Sequence, residues 1–243
     1  GLKDNVKEFF YYGHSFTNGV SFSQNNDQSA YFLSFNNLDQ KGVMPGTDYN
    51  RTSVRLSGNT EFAHNFYSSA SVNYIRATGD LSTQGQGASP YDQILQTPRD
   101  ISLLELKDYH NKFNDLYGFY GAYTINPWYL LGEDAYKTSM DRLLANVQVG
   151  YKPVKWMDIN YRIGTDFSAD KRRQWTSKRI ITDPQNQNYG NRNDGKYEET
   201  SINIREFTSD LMVSGKRKLG KDLSLSVLIG HNVRSRDFTT LIS

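Results

Sequence analysis

The chain has 243 residues, 28 Lys+Arg against 26 Asp+Glu, a net charge of +2, four His and no Cys. That excludes a strongly basic nucleic-acid binder on bulk charge, and it excludes disulfides, thiolate chemistry and any Cys-based zinc site. Aromatics make up 14% of residues but apolar residues only 37%, against about 45–50% apolar in ordinary globular domains, so neither a thick soluble core nor disorder is expected.

The start, Gly1-Leu2-Lys3-Asp4, has no Met, basic n-region or apolar h-region, so a processed protein or a piece of a longer one is expected. Residues 6–12 mix Lys7 and Glu8 with Phe9, Phe10, Tyr11 and Tyr12 and read as a short helix or connector. Two-residue alternation then begins. Phe16, Val20 and Phe22 share one face, with Thr17, Gly19, Ser21 and Ser23 on the other. Tyr31, Leu33 and Phe35 form a second segment, Thr52, Val54 and Leu56 a third, Ala70, Val72 and Tyr74 a fourth. The fifth runs from Leu143 to Tyr151. In the sixth, Ile159, Tyr161, Ile163 and Phe167 alternate with Asp158, Asn160, Arg162, Gly164 and Asp166. A seventh lies around Leu211 and Val213, an eighth from Leu223 to Ile229. Such alternation means strands with one apolar and one polar face. Near Ile204 the phase slips, because Ile202 and Ile204 are even and Phe207 and Leu211 odd; a bulge, or a strand running past its buried band, would each do this.

Connections after the odd-numbered segments are short, near 24–28, 60–66, 152–156 and 216–222. Those after the even-numbered ones are long, near 39–48, 78–139 and 171–199. Membrane barrels have this asymmetry, with short periplasmic turns and long extracellular loops. Tyr49, Tyr67, Tyr74, Tyr151, Trp156 and Phe167 sit near strand ends, where girdles of rings are expected. No stretch makes a transmembrane helix; the longest uncharged aromatic run, 116–132, is broken by Gly, Asn126 and Pro127. The expected fold is therefore all-β: an antiparallel transmembrane β-barrel, of which about eight strands are present. Inward positions dominated by Ser, Asn, Gly and Thr are too small to fill an eight-stranded barrel, so an arc of a larger one is expected. Competing readings are a complete eight-stranded outer-membrane structural or adhesive protein and a soluble β-sandwich binding module.

Phe9-Phe10-Tyr11-Tyr12-Gly13, followed by residues 16–23, resembles the plug-to-barrel region of SusC/RagA-type TonB-dependent transporters. Residues 30–47, with Ser34, Asp39-Gln40-Lys41-Gly42 and Pro45, resemble that family's most specific hairpin, and Tyr49-Asn50-Arg51 continues it. Asn126-Pro127-Trp128-Tyr129 and the stretch from Trp156-Met157-Asp158 to Gly164-Thr165-Asp166 are similar to further family segments. The resemblance implies a 22-stranded outer-membrane barrel with a plug, a SusD-like lipoprotein lid, TonB as energy transducer, and import of oligosaccharides or peptides in Bacteroidetes. Residues 1–13 would be the plug-to-barrel connector and 14–243 a partial barrel. TonB would act through a region outside this stretch.

No catalytic or metal constellation is found, and no cofactor is expected. His14, His64, His110 and His231 are scattered, without HExxH or GxSxG motifs. Arg51, Arg55, Asp158, Arg162 and Asp166 are expected to line the lumen. The run Lys171-Arg172-Arg173, with Lys178 and Arg179 nearby, is a candidate contact for lipid A phosphates in the outer-membrane lipopolysaccharide. Tyr117, Phe119, Tyr120, Tyr123, Trp128 and Tyr129 form the candidate partner or substrate loop, with packing as a loop core the competing reading.

Overall fold

A computed structural model describes residues 1–85, 89–119, 124–186 and 189–243. After α1 (Asn5–Phe9), the chain forms β1 (His14–Asn25), β2 (Ser29–Lys41), β3 (Asp48–Glu61) and β4 (Phe66–Leu81). Two short helices, α2 (Pro90–Gln96) and α3 (Pro127–Glu133), precede β5 (Ala135–Val154), β6 (Met157–Thr176), β7 (Lys196–Lys218) and β8 (Ser224–Ile242). The eight strands form one antiparallel sheet in sequence order. β1 and β8 pair only with β2 and β7, so the sheet is not closed. A sandwich would stack two sheets; here there is one.

Each expected strand is present, but most run further than the alternation marked. β5 and β6 span 20 residues each and β7 spans 23, against about 9–11 for a bilayer-spanning strand. Continuous pairing through Ile202 and Ile204 on both sides of β7 settles the phase slip as a strand prolonged beyond its apolar band, with no bulge there. The register instead shifts between Tyr151 and Val154, where Pro153 has no N–H to give the ladder.

The hairpin residues 30–51 form β2, a tight turn and the start of β3. Pro45 presets the turn, Gly46 takes φ 76°, and Thr47 N–H donates to the Met44 carbonyl at 3.2 Å. A type II turn requires this left-handed residue after proline.

The molecule exposes 16196 Å², whereas a compact monomer of this mass would expose about 11,000 Å². Its excess lies on the sheet. Among the described residues two small clusters supply the core: Phe9, Ile94, Leu103 and Trp128 in one, Leu116, Ile125, Leu130 and Ile181 in the other. They join α1 and the long connections into a cap over one end of the sheet. Lys3 N–H donates to the Arg99 carbonyl and Arg99 Nε returns a bond to the Lys3 carbonyl, at 2.6 and 3.1 Å.

Candidate functional site

Register divides the sheet into two faces. One carries Val20, Phe35, Val54, Tyr74, Leu143 and Phe167 in a single row across β1 to β6, and its apolar residues are solvent-exposed along most strands. On β6 the apolar stretch from Ile159 to Phe167 covers about 27 Å of strand. The row through Val20 ends at Asp237 on β8, although the middle of the apolar run on β8 is Ile229. The band therefore drifts by about eight residues over the seven strand steps, which at about 3.3 Å per residue and 4.8 Å per strand is an angle of roughly 35–40°. Closed barrels tilt their strands by this amount, about 35–45°. Corrected for tilt, the band is roughly 21 Å tall, close to the 25 Å of outer-membrane barrels.

At the short-turn end the band closes with rings: Phe66 stacks on Tyr151 with centroids 4.4 Å apart. Tyr74 and Phe167 lie on this face too, but in the middle of β4 and β6 rather than near their ends, because both strands run on past the apolar band. Tyr49 and Tyr67 do not, because their parity on β3 and β4 sends them to the polar face. There the Tyr67 hydroxyl donates to Asp158 at 2.8 Å, its ring lying over Gly150, where a Cβ would meet Cζ at 2.0 Å.

The polar face carries Arg51, Arg55, Asp158, Arg162 and Asp166 together, as their parity requires. Of these charges, Arg162 and Asp166 pair across strands rather than with each other along β6. Arg142 donates to both Asp166 oxygens at 2.9 and 2.6 Å, Arg162 donates twice to Asp210, and Arg234 reaches Glu206 at 2.7 Å. Arg162, Asp166, Glu206 and Asp210 of these pairs line a hollow of about 570 Å³ on β5–β8. The ion-pair residues Arg142, Glu206, Asp210 and Arg234 were missed in the sequence; combining their parity with strand register is the signal that finds them. Among the described residues no group of three or more His, Asp or Glu side chains could hold a metal ion.

Lys171, Arg172 and Arg173 do not act as one patch, because successive strand residues face opposite ways. Lys171 and Arg173 share Glu199 on the apolar side at 2.8 and 2.9 Å. Arg172 points to the polar side and pairs with Asp170 at 2.7 Å. Arg179 is buried in the cap: its guanidinium meets Asp134 at 2.5 Å, with side chains 7% and 3% exposed. Ser177 donates to the same carboxylate through N–H and hydroxyl, tying the two longest connections together.

Within the aromatic loop, Phe119 and Trp128 are 1% and 6% exposed, so packing claims them rather than a partner surface. Trp128 lies 4.5 Å from the Phe9 ring and donates through Nε1 to the Leu103 carbonyl at 2.7 Å. Asn126 explains the Asn-Pro-Trp sequence. Its Oδ1 caps α3 by accepting from Trp128 N–H, Pro127 occupies the first turn, and Nδ2 donates to the Leu106 and Asn114 carbonyls. Tyr129 is partly buried beside Ser177. Tyr117 is 52% exposed, and its hydroxyl donates to the Ile180 carbonyl at 2.5 Å. Tyr120 and Tyr123 lie outside the described residues. Between the two long connections, a pocket of about 260 Å³ is lined by Tyr109, Tyr117, Tyr129, Glu133 and Arg179. Burial, and after it Glu133, push the Tyr109 phenol above its ordinary range.

No protein-family model and no curated protein matches the sequence. The fold is similar over 100% of the chain to the RagAB peptide transporter, with TM-score 0.79, 17% identity and 27% of that chain covered. It is similar over 100% to the RagAB peptide importer in its closed-closed state, with TM-score 0.74, 15% identity and 30% of that chain covered. BauA, the ferric preacinetobactin receptor from Acinetobacter baumannii, matches 94% of the chain at TM-score 0.53 and 8% identity, with 31% of its own chain covered. The chain thus spans about a third or less of these structures and shares the fold of the part of each that it covers.

Proposed function

We propose that the chain forms part of the barrel wall of an outer-membrane, TonB-dependent importer of large nutrients, oligosaccharides or peptides, working with a SusD-like surface lipoprotein. It has no catalytic role in this reading. The oblique apolar band carries the proposal: a sheet with one exposed apolar face, tilted at a barrel's angle and backed by polar ion-pair ladders, fits a wall between lipid and an aqueous lumen. Long connections then face outward with the cap, and α1, expected as a connector from the plug, packs at that same end through Phe9. Tyr117 is the described ring of the aromatic loop best placed to meet a partner or substrate. Fold likeness to the RagAB peptide transporter supports peptides within that substrate class.

This chain has no Cys, so a single cysteine placed in it is the one labelling site within these residues. Spin labels at 161 and 163 should be reached by oxygen dissolved in the bilayer, those at 162 and 164 by aqueous relaxation agents. Water-accessible labels at the odd positions would sink the proposal.

A further inference from the structure

The pocket of about 260 Å³ in the cap is walled by both long connections. Tyr109, Tyr117, Tyr129 and Glu133 come from the first, Lys178 and Arg179 from the second. Its walls are fixed: Tyr117 donates to the Ile180 carbonyl, and Arg179 exchanges two backbone bonds with Asn193. One wall holds spare donors. The Arg179 side chain is more than nine-tenths buried, yet only its Nη2 is bonded, to Asp134. Its Nε is buried without an acceptor, and Nη1 has none among the described residues. Buried N–H groups are normally satisfied, and each one left unmade is costly.

The lining mixes groups that only donate with groups that only accept. Arg179 and Lys178 are donors; Glu133 and Asp115, which also borders the pocket, are acceptors as carboxylates. A charged ligand of either sign would meet a charge of its own sign. A hydroxyl both donates and accepts, so a neutral polyhydroxylated ring suits both kinds of group. Tyr117, half exposed, and Tyr129 supply ring faces for its C–H side. The volume lies just below the range of about 300–1,000 Å³ that drug-sized ligands need, which is room for a single ring.

We infer that this pocket holds one neutral sugar residue of an oligosaccharide, its hydroxyls accepting from Arg179 and donating to Glu133. The site rests on the importer reading and adds to it a glycan contact on the outward cap.

The test titrates full-length protein in detergent, by calorimetry, with five neutral hexaoses, of glucose in α and in β linkage, xylose, mannose and galactose. At least one should bind. Arg179→Lys keeps a cation beside Asp134 but removes the guanidinium edge, and it should weaken that binding about tenfold or more. Tyr117→Ala should weaken it at least as much. This second variant, at a half-exposed position, keeps the test decisive if hydrogen exchange shows that Arg179→Lys opens the cap. Tyr91→Ala, exposed on α2 away from the pocket, should bind as wild type. Failure of all five hexaoses, wild-type binding by Tyr117→Ala, or displacement of the hexaose by a mixture of uncharged nonapeptides would each overturn the site. Insertion of the same preparations into vesicles separates the two proposals. Protein that inserts but binds no hexaose defeats the pocket alone, whereas protein that does not insert defeats the importer reading whatever it binds.

Discussion

Among the described residues, every buried apolar side chain except Ala77 lies in α1 or the long connections, while the eight strands supply almost no core. The cap has a small apolar core of its own, closed by Trp128, Phe9 and a buried ion pair. The wall is held by ladder hydrogen bonds and leaves its apolar face to be covered from outside. Two physical regimes therefore meet in one chain, and a substitution should cost according to which side of that boundary it falls on.

The largest effect is expected at Trp128→Ala. Removing a buried ring that touches Phe9, and orphaning the Leu103 carbonyl, should cost the cap about 3–5 kcal/mol. Hydrogen exchange on the full-length protein should show faster exchange in 90–119 and 124–133, with β5–β7 protected as before. Loss of protection in those strands as well would show that the wall depends on the cap, and the division would fail.

Next comes Ile163→Arg. The side chain is 40% exposed, so in water an arginine there would be nearly free of penalty. In lipid, near the middle of the band, it should cost about 2–4 kcal/mol. Urea titrations of the full-length protein in vesicles measure this directly, and a neutral result would take the apolar face out of the bilayer.

Much of the wall was legible in the sequence because alternation is local. The apolar positions of β6 can be read from nine consecutive residues, Ile159 to Phe167, and the hairpin turn from Pro45-Gly46. The cap was not. Phe9 and Trp128 meet across about half of the chain, and no periodicity joins them, so the aromatic loop read equally as loop core or as surface, and only the structure makes two of its rings core. Ion pairs such as Arg162–Asp210 need the register of β7 against β6, which side-chain parity alone does not supply. Lys171-Arg172-Arg173 is a different case: parity was enough to split the run, but its composition suggested a patch.

The smallest effect separates the regimes by the same chemistry. Lys137 and Asp80 pair at 3.1 Å on the wall's collar, with side chains 49% and 43% exposed, whereas Arg179 and Asp134 pair inside the cap. An exposed pair gives back in side-chain entropy and hydration most of what Coulomb attraction supplies, so a double-mutant cycle on Lys137 and Asp80 should return about 0–1 kcal/mol of coupling. Molar salt, with a Debye length of about 3 Å, should shrink it further. Lys137 also lies 5.9 Å over the Trp175 ring, a contact the cycle cancels because Asp80 has no share in it. The buried pair behaves oppositely: truncating Arg179 alone leaves Asp134 charged without its counter-ion, at about 3–5 kcal/mol, and salt should barely change that figure. A collar pair with strong, salt-insensitive coupling would mean that its surroundings exclude water, and the outer rim of the wall would then belong with the cap.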